Sequence, residues 1–225
     1  YAVTPEIVDD PAGDGLRFLT TGAIDRYVSH WGETRQRYLG RSYRYPRWPV
    51  TSDDPATRRA VERQARPKLL VAGLSRVIEA FLDEGESAGT VSTLVVVPND
   101  DRPEVRLALL AVLTSSLFSY LYVTCYGARQ LAGGNCPVGK RELGAIPVPA
   151  DLPRPLPSVA TLPPASTIDW CDASVPGARD ALWEQIIAGA AYLHQRGGGL
   201  DREAVDARVR ALVSAAYGIQ PEQHA

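Results

Sequence analysis

Methionine is absent from this 225-residue sequence, and cysteine and histidine occur only three times each. Cys125, Cys136 and Cys171 form no C-x-x-C pair, and their number is odd. This spacing favours neither a disulfide framework nor a zinc site. We therefore expect a reducing, cytoplasmic setting.

Residues with the spacing of a catalytic centre are also lacking. The histidines, His30, His194 and His224, are scattered, and none has a partner at metal-ligand or nucleophile–base spacing. The single G-x-G, at residues 12–15, lacks the preceding strand and following helix of a phosphate cradle, so it predicts a turn. An independent enzyme is consequently the least favoured function, and we expect no catalysis from this chain alone.

We expect no signal peptide, and the only long uncharged run of the sequence is residues 107–128, between Arg106 and Arg129. Several Ser, Thr and Tyr residues dilute this run below the apolar density of a membrane span, so a buried helix is the better interpretation. We expect no membrane partner. The missing methionine, including an initiator, suggests that the chain is a segment of a longer protein.

Charge is distributed unevenly along the chain. The net charge is -2, but residues 17–76 contain thirteen Lys or Arg against five Asp or Glu, a local balance of +8. The remaining residues therefore carry -10. A basic segment of this kind is compatible with a polyanionic partner.

Within this segment, residues 27–48 interleave arginines with aromatic residues. The arginines are Arg35, Arg37, Arg41, Arg44 and Arg47, and the aromatic residues are Tyr27, Trp31, Tyr38, Tyr43, Tyr45 and Trp48. Arginine can bind phosphate or guanine edges, and aromatic rings can stack on exposed bases. Alternatively, the rings pack in the core while the arginine stems cover them. The sequence favours neither interpretation.

Hydrophobic patterning predicts both strands and helices. The runs "KLLVAGL" (68–74) and "VSTLVVVP" (91–98) predict strands, and residues 104–126 predict one long helix. The intervening "RVIEAFLDEG" (76–85) fits either a helix or a strand. Asp53 and Asp54 precede Pro55 and predict the cap of a further helix.

The C-terminal third has a different composition. Residues 151–164 are rich in proline and predict a linker or strap, whereas residues 177–196 and 200–217 show helical spacing. We therefore predict three parts: a domain at residues 1–150, a proline-rich linker or strap at 151–178, and a C-terminal helical hairpin at 179–225.

Four motifs in the first 149 residues resemble those of a known family. They are "FLTTGAIDRYVSHWG", "RPKLLVAGLSRVIEAFLDEG" with "VSTLVVVP", "LALLAVLTSSLFSYLYVTCYGARQLAGG", and "GKRELGAIPVP". In this order they resemble the TaqI-like C-terminal specificity domains of adenine-specific DNA methyltransferases and of restriction enzymes fused to them. The resemblance covers residues 16–149, and "LDREAVDARVRALVSAAYGI" resembles the closing helix of such proteins.

The resemblance implies an α+β fold with a mixed β-sheet and a long packed helix, in which residues 76–85 form a strand. It implies recognition of double-stranded DNA, with the arginines above and Lys68, Ser75 and Arg76 as candidate contacts. Gly133, Gly134 and Lys140 form a further candidate loop, because glycine permits a close approach to a DNA strand. These glycines could equally serve only to reverse the chain.

The catalytic parts of such enzymes are missing from this sequence. Neither a cofactor-binding glycine motif nor an "NPPY"-type tetrad occurs in it. The resemblance therefore implies that no cofactor binds here, and that S-adenosylmethionine belongs to a methyltransferase domain in cis or a catalytic subunit in trans. The alternative function is a protein-interaction scaffold in a phage-defence complex, which would use the strap and the apolar stripe of the last helix.

Overall fold

The fold is described by a computed structural model, which covers residues 6–50, 54–131, 133–149, 156–172, 174–195 and 200–219. The strands are β1 (Val8–Asp9), β2 (Leu16–Leu19), β3 (Gln36–Tyr38), β4 (Arg41–Tyr43), β5 (Pro46–Trp48), β6 (Pro67–Ala72), β7 (Leu74–Ser75), β8 (Ala80–Glu84), β9 (Ser87–Gly89), β10 (Thr93–Val96) and β11 (Cys136–Pro137). The helices are α1 (Pro55–Gln64), α2 (Pro103–Thr114), α3 (Ser116–Tyr126), α4 (Lys140–Leu143), α5 (Arg179–His194) and α6 (Arg202–Ala216).

The strands form two sheets and two short ribbons. One sheet has the order β1-β5-β2-β9 and is mixed, because β2 and β9 pair in parallel while its other pairs are antiparallel. The second sheet, β10-β6-β8, is antiparallel throughout. The ribbons are β3-β4 and β7-β11. The α+β fold with a mixed sheet is confirmed, although the strand predicted at residues 68–74 lies at the centre of the antiparallel sheet.

In the ambiguous segment, residues 76–85, the strand β8 (Ala80–Glu84) forms and residues 76–79 precede it without regular structure. β8 pairs with β6 over five residues, and four of its five side chains are buried. Ala80 and Leu82 pack in the main core with α2, whereas Phe81 packs in a smaller cluster on the other face. Burial on both faces explains why the apolar pattern here does not alternate clearly.

The single helix predicted at residues 104–126 is two helices, α2 and α3, which meet at Ser115. The hydroxyl of Ser115 accepts a hydrogen bond from the Phe118 amide at 3.1 Å, so Ser115 caps α3. Its extended backbone ends α2, and the axes bend by 57°. No single helix in the described ranges is long and apolar enough to cross a membrane. Within these ranges, α2 and α3 reach the necessary length and apolar composition only when they are taken together.

The C-terminal helices complete the main core. α5 and α6 pack on each other and on α2, and their apolar side chains belong to the same buried cluster as β6, β8 and α2. Leu156 and Trp170 of the proline-rich strap are buried in this cluster as well. Residues 151–155 of the strap, and Asp53 of the predicted helix cap, lie outside the described residues.

Candidate nucleic-acid interface

The ribbon β3-β4 is a tight hairpin whose tip is Leu39–Gly40. Tyr38 pairs with Arg41 across the turn, which leaves a two-residue loop. Leu39 and Gly40 have φ values of 46° and 80°. Positive φ at both central positions is the requirement of a type I′ turn, whose twist matches that of the flanking strands.

The hairpin is anchored on its inner face. Gln36 is 2 % exposed, and its side-chain oxygen accepts a hydrogen bond from the Thr20 amide at 2.8 Å. The ring of Tyr38 packs edge-on against Phe18, with centroids 4.8 Å apart. At the base, the carboxylate of Asp9 accepts hydrogen bonds from the amides that follow β4. These contacts hold the ribbon in one position relative to the mixed sheet.

Three of the predicted arginines extend from this hairpin into solvent. Arg35, Arg37 and Arg41 are exposed, and their guanidinium groups form no hydrogen bond or ion pair with any residue in the described part of the chain. Arg37 lies opposite Ser42, on the face away from the buried Gln36. Arg35 is the residue immediately before β3. The outer face and tip of the hairpin are therefore positively charged.

The other two arginines of the predicted cluster are engaged within the fold. The guanidinium of Arg47 donates to the carbonyls of Asp10, Gly15 and Pro11 at 2.9–3.1 Å and stacks over Trp31. Arg44 donates to the Gly32 carbonyl at 3.2 Å. These two residues hold the loops at the base of the hairpin, so they position the free arginines.

The aromatic residues of this segment pack within the protein. Tyr27 and Trp48 are buried, and Trp31, Tyr38, Tyr43 and Tyr45 are half-buried. The Trp31 indole also donates to the Pro46 carbonyl at 2.8 Å. The structure therefore agrees with the interpretation that these rings pack within the protein. The guanidinium groups of the hairpin arginines remain free.

Lys68 is buried, so its prediction as a DNA contact is wrong. Its side chain is 0 % exposed, and its ammonium forms an ion pair with the buried Asp83. It also donates to the Ser87 carbonyl at 2.7 Å. Desolvation lowers the pKa of Lys68, and the Asp83 carboxylate opposes that shift. Lys68 joins β6, β8 and the start of β9 and cannot reach a phosphate.

A second predicted group comes together beside β7. Ser75 pairs with Cys136 in the ribbon β7-β11, but its hydroxyl is buried and donates to the Val77 carbonyl. Arg76 is exposed, and its guanidinium donates to the Gly133 carbonyl at 3.1 Å. Gly133 and Gly134 have φ values of 90° and 80°, in open space. Arg76 thus lies at the edge of the glycine loop. The prediction of Ser75 as a DNA contact is wrong, because its hydroxyl is buried and bonded within the chain.

Lys140 is exposed at the start of α4, beyond the ribbon that holds the glycine loop. Within the described ranges it has no hydrogen bond or ion pair with Arg76 or with either glycine. The structure therefore brings together Arg76 and the glycine loop, and leaves Lys140 as a separate exposed charge.

A cleft of about 370 Å³ joins Arg76 to the loop that leads to the hairpin. Its lining includes Asp25, His30, Arg76 and Glu79. A hydrogen bond to Glu33 at 2.7 Å raises the pKa of His30, and the contact with Asp25 at 3.4 Å acts in the same direction. Burial, together with the Asp25 charge, raises the pKa of Glu79 to about 7. The cleft lining therefore combines two carboxyl groups, of which Glu79 keeps its proton up to about pH 7, with the Arg76 guanidinium and the His30 ring.

Two features of this surface were not predicted from the sequence. Leu39 at the hairpin tip is 72 % exposed. Helix α1 presents Arg58, Arg59 and Arg63 to solvent, while Val61 faces inward. The predicted cap of α1 by Asp54 is confirmed, since its carboxylate accepts from the Ala56 and Thr57 amides. Helical spacing from this cap could have identified the exposed arginines.

Among the described residues, no group of three or more His, Cys, Asp or Glu side chains is arranged to hold a metal ion. No model of a known protein family matches the chain, and no curated protein is significantly similar to it. The resemblance to TaqI-like specificity domains therefore rests on the motifs of the sequence itself.

Proposed function

We propose that this chain recognises a specific sequence in double-stranded DNA, as the specificity module of an adenine-specific DNA methyltransferase or restriction-modification enzyme. The observation that carries the proposal is the hairpin β3-β4, which holds three exposed arginines free of internal partners on a fixed support. Arginine binds phosphate and guanine edges through two parallel hydrogen bonds. A two-stranded ribbon is also one of the elements that the major groove of DNA can admit.

The remaining basic residues have different roles in this proposal. Arg44 and Arg47 hold the base of the hairpin, whereas Arg76, at the edge of the cleft, and the glycine loop provide a second exposed surface. In this proposal the hairpin makes the main contact and Arg76 a peripheral one. The Asp25 carboxylate in the lining of the cleft disfavours a continuous phosphate track between the two surfaces.

Catalysis is assigned to a partner. The chain has neither the glycine motif nor the tetrad that would hold S-adenosylmethionine and the target adenine. We propose that these are supplied by a methyltransferase domain in cis or a catalytic subunit in trans, in the cytoplasm. The scaffold alternative would use the strap and the apolar stripe of α6. Val205, Val209 and Leu212 of that stripe are buried against the core of the same chain, so a second subunit could not contact them.

The salt dependence of DNA binding tests the proposal. Each phosphate neutralised on a duplex contributes a slope of about -0.9 to the dependence of log affinity on log salt. We expect the substitution of Arg35, Arg37 and Arg41 by Gln to make the slope shallower by about 2.7. The measurement is a fluorescence anisotropy titration of the intact chain on short duplexes at several salt concentrations.

Two further variants distinguish direct contact of the hairpin arginines with DNA from a general effect of positive charge on the protein. The substitution of Arg58, Arg59 and Arg63 by Gln removes the same charge from α1 and should change the slope by less than one. The replacement of the three hairpin arginines by Lys should keep most of the slope but reduce sequence discrimination, because Lys lacks the planar fork of Arg. The proposal would be contradicted if the hairpin and α1 variants reduced the salt slope equally. It would also be contradicted if the wild-type chain bound no duplex at low salt.

A further inference from the structure

Leu39 occupies a position that folding alone does not explain. It has the most exposed large apolar side chain in the described part of the chain, at 72 %, and its φ is 46°. The first central position of a type I′ turn favours Asn, Asp or Gly, because a leucine side chain is strained at positive φ. The chain therefore keeps an apolar residue where both solvation and backbone geometry disfavour it.

The surroundings of Leu39 indicate what it can contact. Arg37 and Arg41 lie on either side of the tip, and neither guanidinium has a hydrogen-bond or ion-pair partner within the described residues. The following Gly40 has no atom within 4 Å of the place where a Cβ would lie, so the tip is open on that side. An exposed apolar residue between cationic ones fits a partner that presents phosphates around an apolar group.

The dimensions of the hairpin favour the major groove of DNA. Paired strands lie about 4.8 Å apart, and with side chains the ribbon exceeds the minor groove, which is about 6 Å wide. The major groove is about 12 Å wide and about 8.5 Å deep. Because Gln36 and Tyr38 pack on the body of the protein, the part of the ribbon that can enter the groove is its tip, Leu39 and Gly40. The only apolar group on the base edges there is the 5-methyl group of thymine.

We propose that the hairpin β3-β4 enters the major groove and that Leu39 contacts the methyl group of a thymine. This inference rests on the proposed DNA-binding function and adds a specific determinant to it. The arginines bind phosphates or guanine edges on both sides, while Leu39 selects thymine at one position. The anchoring of Gln36 and Tyr38 on the mixed sheet fixes the depth to which the tip reaches.

A thymine-to-uracil scan tests this contact. The probe is the tightest-binding duplex selected from a randomised library, in which each thymine in turn is replaced by deoxyuridine. For the wild-type chain we expect one replacement to weaken binding about fourfold, equivalent to ~0.8 kcal/mol for one buried methyl group. For Leu39→Asn and Leu39→Ala, the same replacement should have no effect.

Stability and salt dependence provide independent readouts. Leu39→Asn should unfold at a higher urea concentration than the wild type, since Asn tolerates positive φ, and should keep the wild-type salt slope because the arginines remain. Val91→Asn is the matched control: Val91 is also exposed, at 65 %, but lies in the loop between β9 and β10. This variant should keep the wild-type response to deoxyuridine.

The outcomes distinguish this inference from the function on which it rests. No binding of the wild-type chain to any duplex would overturn both. Salt-dependent, sequence-specific binding without sensitivity to any thymine methyl group would overturn the role of Leu39 alone. Enhanced fluorescence of 2-aminopurine in the site on wild-type binding, but not with Leu39→Asn, would show that Leu39 inserts between base pairs, and would also overturn the proposed contact with the base edge.

Discussion

Basic side chains in residues 17–76 fall into two groups with different physical roles. Lys68 and Arg47 are satisfied by carboxylate or carbonyl oxygens of the chain, so they stabilise the fold. Arg35, Arg37 and Arg41 have no such partner in the described residues. A guanidinium without an internal partner can bind phosphate without breaking a contact of the fold, which makes the second group suitable for recognition.

At the same scale, Glu79 makes stability depend on pH. Its pKa is about 7 in the folded chain, against 4.5 for the ordinary group. Between these values the folded state keeps a proton that the unfolded chain has lost, so this residue lowers the free energy of unfolding as pH rises. We expect Glu79→Gln to be more stable than the wild type by about 1–2 kcal/mol at pH 8, after allowance for solvent screening, and equally stable at pH 4.

Urea unfolding of both proteins at several pH values measures this difference. His30 contributes in the same direction in both chains. Its raised pKa gives stability that is present below pH 6.5 and is lost as pH rises through the folded pKa. The comparison of variant with wild type therefore isolates Glu79. A constant difference between pH 4 and pH 8 would show that Glu79 titrates normally.

The role of individual charges was the least predictable property of the sequence. Lys68 and Arg37 both lie in basic stretches, yet one is fully buried and the other is exposed. The difference arises because Asp83 lies opposite Lys68 in the sheet, a pairing between residues 15 positions apart. Sequence alternation gives the period of a strand but not which face is covered.

At the scale of elements, local patterns predicted the main strands and helices but not their breaks. β6, β10, α5 and α6 follow from hydrophobic spacing, and β8 follows from the family resemblance. The division of α2 from α3 depends on one serine that caps the second helix, within a run whose composition fits a continuous helix. The hairpin was not predicted because Leu-Gly replaces the usual Asn-Gly signal at its turn.

Helices α5 and α6 approach each other closely at Gly189, and this contact can be tested. A Cβ on Gly189 would lie 2.3 Å from Val209 and 3.1 Å from the Trp170 ring, which are buried side chains of α6 and of the strap. We expect Gly189→Ala to lower the free energy of unfolding by about 1–3 kcal/mol through overpacking.

The matched control is Gly177→Ala, because a Cβ on Gly177 would meet no atom within 4 Å. Its stability should equal or slightly exceed that of the wild type. Urea denaturation with the same probe for all three chains provides the measurement. Equal stability of the two variants would show that a Cβ at position 189 does not collide with Val209.

At the scale of the whole molecule, the core and the proposed interface are separate. One buried cluster unites β6, β8 and α2 with α5, α6 and the strap, whereas the hairpin packs on a small satellite cluster that includes Phe18 and Trp48. Sequence composition suggested a boundary near residue 150, but it could not show that side chains on both sides of this boundary share one core. The arrangement leaves the hairpin free to contact DNA without opening the main core.

Selection from a library of randomised duplexes, with the intact wild-type chain, tests the central claim most directly. If the chain recognises a DNA sequence, repeated rounds of capture and sequencing will enrich one defined motif. The motif should bind the wild-type chain far more tightly than it binds the Arg35, Arg37 and Arg41 to Gln variant. Recovery of unenriched random sequences, or equal enrichment by the folded wild-type and variant chains, would contradict the account.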